Sequence, residues 1–473
     1  MDQPTTTTRR AFLARSLAAG AWSSLHAGRH DRPHDETATT RGPQFAARAR
    51  RVLHVCLCGG LSHVDSFDPK PALARWHGAA MPTSERPDTF FGKVGRLRRP
   101  DWEFRPRGQS GLEISGLFPS LAELADELTI VRSMFAETSN HTPATFQENS
   151  GFRLNGFPVL GAWLSHALGA EARDLPAYVV IPDARGLPAG GPINWTNGFL
   201  PAEHQGVVLS SSGTPIHDLF PARPIPADEE RATRALLRRQ NEAHAAARAD
   251  ASLRARMLAH ELAERMQATV PELADLSREP AWATASYGLD DEPCASFARS
   301  CLLARRLLER GVRMVQLFSG GAFGSPRINW DGHEDVRENH GREAARIDRP
   351  LAALLRDLRA RGMLDDTLVL FTTEFGRTPF CESGDDELGP GRDHNPHGFS
   401  IWLAGAGLRP GIAYGSTDEF GYRAVERRVH WNDLHATVLH LCGLDHERLV
   451  YYHDGIRRRL TNVGGRVLFD LLA

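Results

Sequence analysis

The chain has 473 residues, 41% hydrophobic and 24% charged, enough for one large domain or a few smaller ones with a substantial core. Its 56 Lys and Arg against 58 Asp and Glu leave a net charge of −2. That balance excludes the basic footprint of a general nucleic-acid or anionic-membrane binder and points to small or neutral partners.

At the N-terminus, Thr8-Arg9-Arg10-Ala11-Phe12-Leu13 reads as a twin-arginine export signal, followed by a weakly apolar stretch at 16–27 and a polar segment to about Arg50. Residues 1–50 are therefore expected to be a leader, and the mature protein periplasmic or secreted. No run reaches the roughly 18 apolar residues of a spanning helix, so stable membrane insertion is not expected. Residues 51–58 (RVLHVCLC) form a continuous apolar run ending in Gly59-Gly60, the pattern of a buried parallel strand opening into a loop. Similar β-rich runs occur at 128–134, 177–182, 313–319, 367–373 and 399–404. Helical spacing occupies 120–126, 159–168, 293–310, 348–361 and 433–442, the last capped by Asn432 or Asp433. The alternation predicts an α/β/α sandwich with a mostly parallel central sheet over 51–473. Residues 228–276, rich in Ala, Arg and Glu, predict a helical insertion of one or two surface helices. Polar stretches at 83–111 and 186–226 predict long ordered loops or small β insertions, of a length unusual unless functional. The six cysteines show no disulfide framework: Cys294 and Cys301 are too far apart along one helix, and Cys56 and Cys58 read as small core residues.

In an open parallel sheet, ligands bind beyond the carboxyl ends of the strands. The polar clusters of this chain follow predicted strands in that way: Ser62-His63-Val64-Asp65, Asn140-His141-Thr142, Asp331-Gly332-His333, Glu374-Phe375-Gly376-Arg377 and Asp393-His394-Asn395-Pro396-His397. Carboxylates and imidazoles gathered from separate strands are what a hydrolytic metal site requires, and this donor type suits Zn, Mn, Mg or Ca rather than a thiolate metal. The candidate ligands are His63, Asp65, Asp331, His333, Glu374, Asp393, His394 and His397. His141 is a candidate acid, base or ligand. Thr142, like Thr138 and Ser139, is a candidate oxygen nucleophile, and Arg377 a candidate fork for a sulfate or phosphate. Any one of these histidines is also read as a hydrogen-bonded structural residue, and Arg377 as a Glu-paired one. Gly60-Leu61-Ser62-His63-Val64 approaches a serine-hydrolase elbow but lacks its second glycine, so Ser62 is also read as a loop-binding residue. There is no His-Glu-x-x-His helix and no phosphate-cradling Gly-rich loop with Lys.

Seven segments carry a family resemblance: CGGLSHVDSFDPKP from Cys58, GQSGLEISGLFPSLAELAD from Gly108, NWTNGFLPAEHQG from Asn194, NWDGHED from Asn329, TTEFGRTP from Thr372, GRDHNPHGFSIWLAG from Gly391 and YGSTDEFGY from Tyr414. Together they resemble the exported domain-of-unknown-function family DUF1501, abundant in planctomycetes, sulfatase-like and within the alkaline phosphatase superfamily. The resemblance spans about 51–473. It implies an alkaline-phosphatase-like α/β/α domain and metal-assisted hydrolysis of sulfate or phosphate esters, on small molecules or polysaccharides. Asp331, His333 and His394 match the superfamily's Asp/His ligands best, and Glu374 stands where an Asp ligand is usual. His141 occupies the place of the modified Cys or Ser nucleophile of sulfatases. That substitution keeps a second expectation in view, a catalytically degenerate metal- or glycan-binding scaffold on the same fold.

Overall fold

Val52, Leu53, Val55, Cys56 and Leu57 are all shielded from solvent, as a strand covered on both faces requires. In the computed structural model, which describes residues 42–216, 223, 225–248, 251–322, 324 and 326–473, this run is strand β1 (Arg51–Leu57) inside a nine-stranded sheet. The twin-arginine segment at 8–13 lies outside the described residues. The other strands are β2 (Leu128–Phe135), β3 (Tyr178–Ile181), β4 (Val207–Val208), β5 (Met314–Ser319), β6 (Thr367–Thr373), β7 (Phe399–Ala404), β8 (Ile412–Tyr414) and β9 (Val429–His430). Their order is β8-β2-β7-β6-β1-β5-β3-β4, with β9 also on β2. All pairings are parallel except those of β7, which runs antiparallel to β2 and β6.

The principal helices are α1 (His141–Ser150), α2 (Leu160–Leu168), α3 (Ala227–Arg248), α4 (Ala251–Ala274), α5 (Ala295–Glu309), α6 (Val336–Ala360) and α7 (Trp431–Leu441). The period of two along β1 divides the core between the two sheet faces. Leu53, Val55 and Leu57 join Leu302 and Leu307 of α5 and Leu351 and Leu355 of α6. Val52, Cys56 and Cys58 join Leu160 and Trp163 of α2 and Leu434 and Val438 of α7. Each fully buried Leu stabilises this α/β/α arrangement by about 1.5–3 kcal/mol. All six cysteines are free and buried. Cys56 is more than core filler, since Gln316 Nε2 donates to its sulfur at 3.2 Å and His54 Nε2 lies 3.2 Å from it.

Within 228–276 the chain forms α3 and α4, linked by an Arg234–Glu264 pair at 2.7 Å, and α4 contributes Met266, Val270 and Leu273 to the core. Among the described residues no helix is long and apolar enough to cross a membrane.

Several local expectations are corrected. Helix α6 begins at Val336 rather than 348, because Asp335 caps it by accepting from the Glu338 amide, and the helix continues through Pro350. Its first turns are polar, so apolar spacing does not reveal them. Helix α7 is capped by His430, whose Nδ1 accepts from the Asn432 amide while Asp433 accepts from the His430 amide. The helix expected at 120–126 is only a turn at Pro119–Ala122 and a 3-10 turn at Ala125–Glu127. His141 is not in a loop: it is the first residue of α1, a helix whose buried positions include the polar Gln147, Glu148 and Asn149.

Candidate metal centre

Four strands deliver side chains to one point at the carboxyl edge of the sheet. The connection after β2 brings His141 at the start of α1, that after β5 brings Asp331 and His333, and Glu374 directly follows β6. His394 lies on the approach to β7, and the antiparallel course of β7 places its beginning at this same edge. There His394-Asn395 pairs with Gly376-Arg377. Close crossing of these segments depends on Gly59. Its φ is +116°, and a Cβ there would sit 2.5 Å from the Asp331 amide nitrogen and 2.7 Å from that of Trp330. The Gly59 amide donates to Glu374 Oε1 at 2.7 Å, and the Trp330 amide donates to the Cys58 carbonyl at 2.8 Å.

The imidazoles converge on a single oxygen. Asp331 Oδ1 lies 2.8 Å from His333 Nε2, 3.0 Å from His394 Nε2 and 3.3 Å from His141 Nε2. His333 Nε2 and His394 Nε2 are themselves 2.8 Å apart. The far side of every ring is engaged: His141 Nδ1 is 2.9 Å from Glu374 Oε1, His394 Nδ1 is 2.6 Å from the Ser139 carbonyl, and His333 Nδ1 contacts Glu382 Oε2. Each of these partners is an acceptor oxygen, so each Nδ1 carries the proton and donates. In the neutral tautomer this leaves three Nε2 lone pairs and one carboxylate oxygen facing each other. That arrangement is repulsive unless a cation or extra protons occupy it.

Protons balance the charge when no cation does. Burial opposes charging His141, but the hydrogen bonds to Asp331 and Glu374 outweigh it and raise the imidazole to about 9. Burial likewise pushes the Asp331 carboxyl up, yet the Arg377 guanidinium and the three imidazoles hold it well below the usual carboxylate range. His394 is pushed well below its ordinary value, chiefly by burial.

A divalent cation fits this donor set. Three imidazole nitrogens and a carboxylate oxygen, with every imidazole oriented from behind by an acceptor oxygen, is the inner and outer ligand pattern of zinc and related ions. Nitrogen-rich ligation favours zinc over calcium or magnesium, which prefer all-oxygen sites. Glu382, which the sequence gives no motif to find, completes this outer layer. Replacing Glu382 with Ala is expected to weaken metal binding by about 10–100-fold, measured by competition with a chromogenic chelator, because His333 loses the group that orients it.

The other candidates are placed differently. Asp65 is fully buried and satisfied: Arg392 Nε at 2.9 Å, the Ser62 hydroxyl at 2.5 Å and the Asp101 amide at 2.9 Å all donate to it. Ser62 therefore serves a carboxylate rather than an imidazole, and its amide donates to His340 Nε2 at 2.9 Å. His63 is buried with its Nε2 donating to the Gly421 carbonyl at 2.7 Å. His397 is half-buried, with Nε2 3.7 Å from Asp88. Neither histidine joins the group around Asp331. Asp393 adjoins it from behind, accepting from the His394 and Phe91 amides at 2.7 and 2.9 Å and lying close to His333 and Glu382.

Glu374 lies behind His141 rather than among the converging atoms. Arg377 does not face outward as an anion fork. Its side chain is fully buried, donates to the carbonyls of Gly59, Gly60, Trp330 and Arg392, and binds Asp331 Oδ1 at 2.6 Å. The solvent-facing cation is instead Arg327, 37% exposed, which bridges Asp331 Oδ2 and Glu334. Its only sequence signal is a position four residues before Asp331. Thr142 is half-buried in the first turn of α1.

The family model described as "Protein of unknown function (DUF1501)" matches residues 49–472. The chain belongs to this family. No curated protein matches this DUF1501 chain. Solved structures similar to it include the lipoteichoic acid synthase LtaP from Listeria monocytogenes, at 10% identity and TM-score 0.39, covering 90% of this chain and 80% of that one. Another is the PsFucS1 sulfatase from Pseudoalteromonas sp., at 13% identity and TM-score 0.35, covering 91% and 71%. A third is a mutant of TAB5 alkaline phosphatase, at 8% identity and TM-score 0.36, covering 85% of the DUF1501 chain and 100% of the other. At TM-scores below 0.5, none of these likenesses bears on what the DUF1501 protein does.

Proposed function

We propose that this DUF1501 protein is an exported, metal-dependent hydrolase of sulfate or phosphate esters. The observation that carries the reading is the convergence of His141, His333 and His394 Nε2 on Asp331 Oδ1, with every Nδ1 committed elsewhere. A divalent cation held there supplies Lewis-acid polarisation of a phosphoryl or sulfuryl oxygen. The protein's own groups do the rest. Arg377 and Arg327 hold Asp331 ionised from two sides, so the carboxylate remains a ligand. Arg327, 37% exposed and paired with Asp331 and Glu334, is the accessible guanidinium beside the convergent atoms and the one offered to an anionic ester. His141, with 27% of its side chain exposed, is the most accessible of the three imidazoles, its Nε2 turned to Asp331 and its Nδ1 held by Glu374. Thr142, next to it, is the candidate oxygen nucleophile.

Metal analysis of the purified protein and turnover of 4-nitrophenyl sulfate and 4-nitrophenyl phosphate test this reading. The expected result is about one equivalent of metal per chain at the single convergent site, with ester hydrolysis removed by a chelator and restored by one defined metal. Stoichiometric metal without turnover of either ester overturns the hydrolase in favour of a metal-binding scaffold. No metal after supplementation overturns both.

A further inference from the structure

Two partly exposed phenyl rings stand at the histidine cluster. Phe90 and Phe91, 42% and 51% exposed, are among the exposed large hydrophobic side chains of the fold. The Phe90 ring centre lies 4.9 Å from that of His394, and the Phe91 ring centre 5.1 Å from that of His333. The two phenyls meet edge to face at 4.9 Å. Both belong to the 83–111 stretch whose length marks it as functional or locally ordered.

The segment is pinned on both sides of the rings. Tyr422 Oη donates to the Asp88 carbonyl at 2.9 Å, and Arg86 makes a two-pronged pair with Asp385 at 2.9 and 3.0 Å while donating to the Gly92 carbonyl at 2.9 Å. On the inner side the Phe91 amide donates to Asp393 Oδ2 at 2.9 Å, and Asp393 in turn accepts from the His394 amide. The backbone carrying the aromatic pair is thus hydrogen-bonded to the residue adjoining a candidate ligand. Packing against the imidazoles uses only part of each ring, and the remaining apolar surface costs free energy while it faces water.

The geometry points to Phe90 and Phe91 as the specificity wall of the metal site, stacking the flat apolar face of a ring carried by the anionic substrate. This inference rests on the ester-hydrolase reading above. The occupant is the organic half of the ester, because the wall lies within one ring's width of the imidazoles that converge on Asp331, and a substrate whose anionic group reaches that point has its next atoms beside the phenyls. The shared chemistry is a ring with an apolar face, as an aryl group or a pyranose provides. Aromatic rings pair at centroid separations of about 4.5–7 Å, and such contacts are worth a measurable fraction of binding energy beyond area alone.

Sulfonates, whose carbon–sulfur bond is not an ester, test the wall without turnover. Calorimetry on the metal-loaded full chain would compare methanesulfonate, benzenesulfonate and 6-deoxy-6-sulfoglucose. At least one ring sulfonate is expected to bind about 10-fold more tightly than methanesulfonate. Benzenesulfonate alone showing the gain identifies an aryl occupant, and the sugar showing it identifies a pyranose. Phe90→Ala and Phe91→Ala should remove that preference while leaving methanesulfonate affinity and metal content unchanged, and Phe91→Tyr should retain it. A wild-type protein that binds no sulfonate, or that shows no ring preference, overturns the wall, as does a preference that survives both Ala substitutions. Parallel loss of methanesulfonate affinity also overturns it, by showing that the rings only support the histidines. The hydrolase reading is judged separately, by metal content and ester turnover.

Discussion

His394→Gln is expected to leave purification nearly free of metal and to lower ester turnover by about 10³-fold or more, the size of effect that follows from losing several kcal/mol of charge stabilisation. The reason lies in the 2.8 Å separation of His333 and His394 Nε2. With both Nδ1 protons donated away, to Glu382 and to the Ser139 carbonyl, these nitrogens have no hydrogen bond to make with each other. A cation between them would accept both lone pairs. Glutamine fills most of the imidazole volume and can still reach the Ser139 carbonyl, but it does not present a nitrogen lone pair. The fold should survive, because His394 carries no buried ion pair other than its contact with Asp331, which Arg377 and Arg327 still neutralise. Elemental analysis, far-UV circular dichroism and turnover on one preparation check all three statements. Retained metal with retained turnover would remove His394 from the ligand set.

Asp65→Asn is expected to do the reverse: destabilise the fold by about 3–5 kcal/mol while metal content stays that of the parent. Asp65 and Arg392 have side chains 0% exposed and 2.9 Å apart, so neutralising one leaves the other as an uncompensated buried charge. The remaining partners of Arg392, the carbonyls of Thr378, Arg98 and Arg99, solvate the guanidinium without neutralising it. The pH dependence has a definite sign. Burial raises the Asp65 carboxyl, but Arg392, the Ser62 hydroxyl and the Asp101 amide together hold it below its usual 3.8. A carboxyl depressed in the folded state contributes its stability fully above the unfolded value and loses it as pH falls through the folded value. The gap in denaturation midpoint between parent and Asp65→Asn should therefore be widest at neutral pH and narrow below about pH 4. Loss of metal from Asp65→Asn at neutral pH, in folded protein, would return Asp65 to the ligands.

Residues that look alike in the sequence take different roles in the fold. Asp65 and Asp331 both follow an apolar strand and both sit two residues from a histidine. Which is a ligand depends on groups far along the chain. Asp65 is met by Arg392 with no imidazole beside it, whereas Asp331 Oδ1, bound by Arg377, also faces three imidazoles. Arg377 shows the same limit. An arginine beside Glu374 at a strand end suggests an outward fork, yet antiparallel pairing of Gly376-Arg377 with His394-Asn395 accompanies a side chain turned inward, where four carbonyls and a carboxylate absorb it.

The apolar runs behind six of the nine strands, the alternation that makes the domain α/β, and the placement of acids and imidazoles at strand ends were legible in the sequence. Strand pattern depends on each residue's own neighbours, and a run such as 51–58 states its burial by composition alone. Helix α1 was not legible, because its buried positions are filled by hydrogen-bonded polar side chains rather than by apolar ones at helical spacing. The short edge strands β4, β8 and β9 were not legible either, since two or three residues carry no period.

What the tertiary structure alone decided is which side chains meet. Order in the sheet, the reversed course of β7 and the crossing at Gly59 bring His141, Asp331, His333 and His394 within hydrogen-bond distance, and they commit Asp65, His63 and Arg377 to partners inside the fold. Convergence of that kind is a long-range property. It is set by strand order and by competition among charged partners for burial, and no local periodicity encodes either.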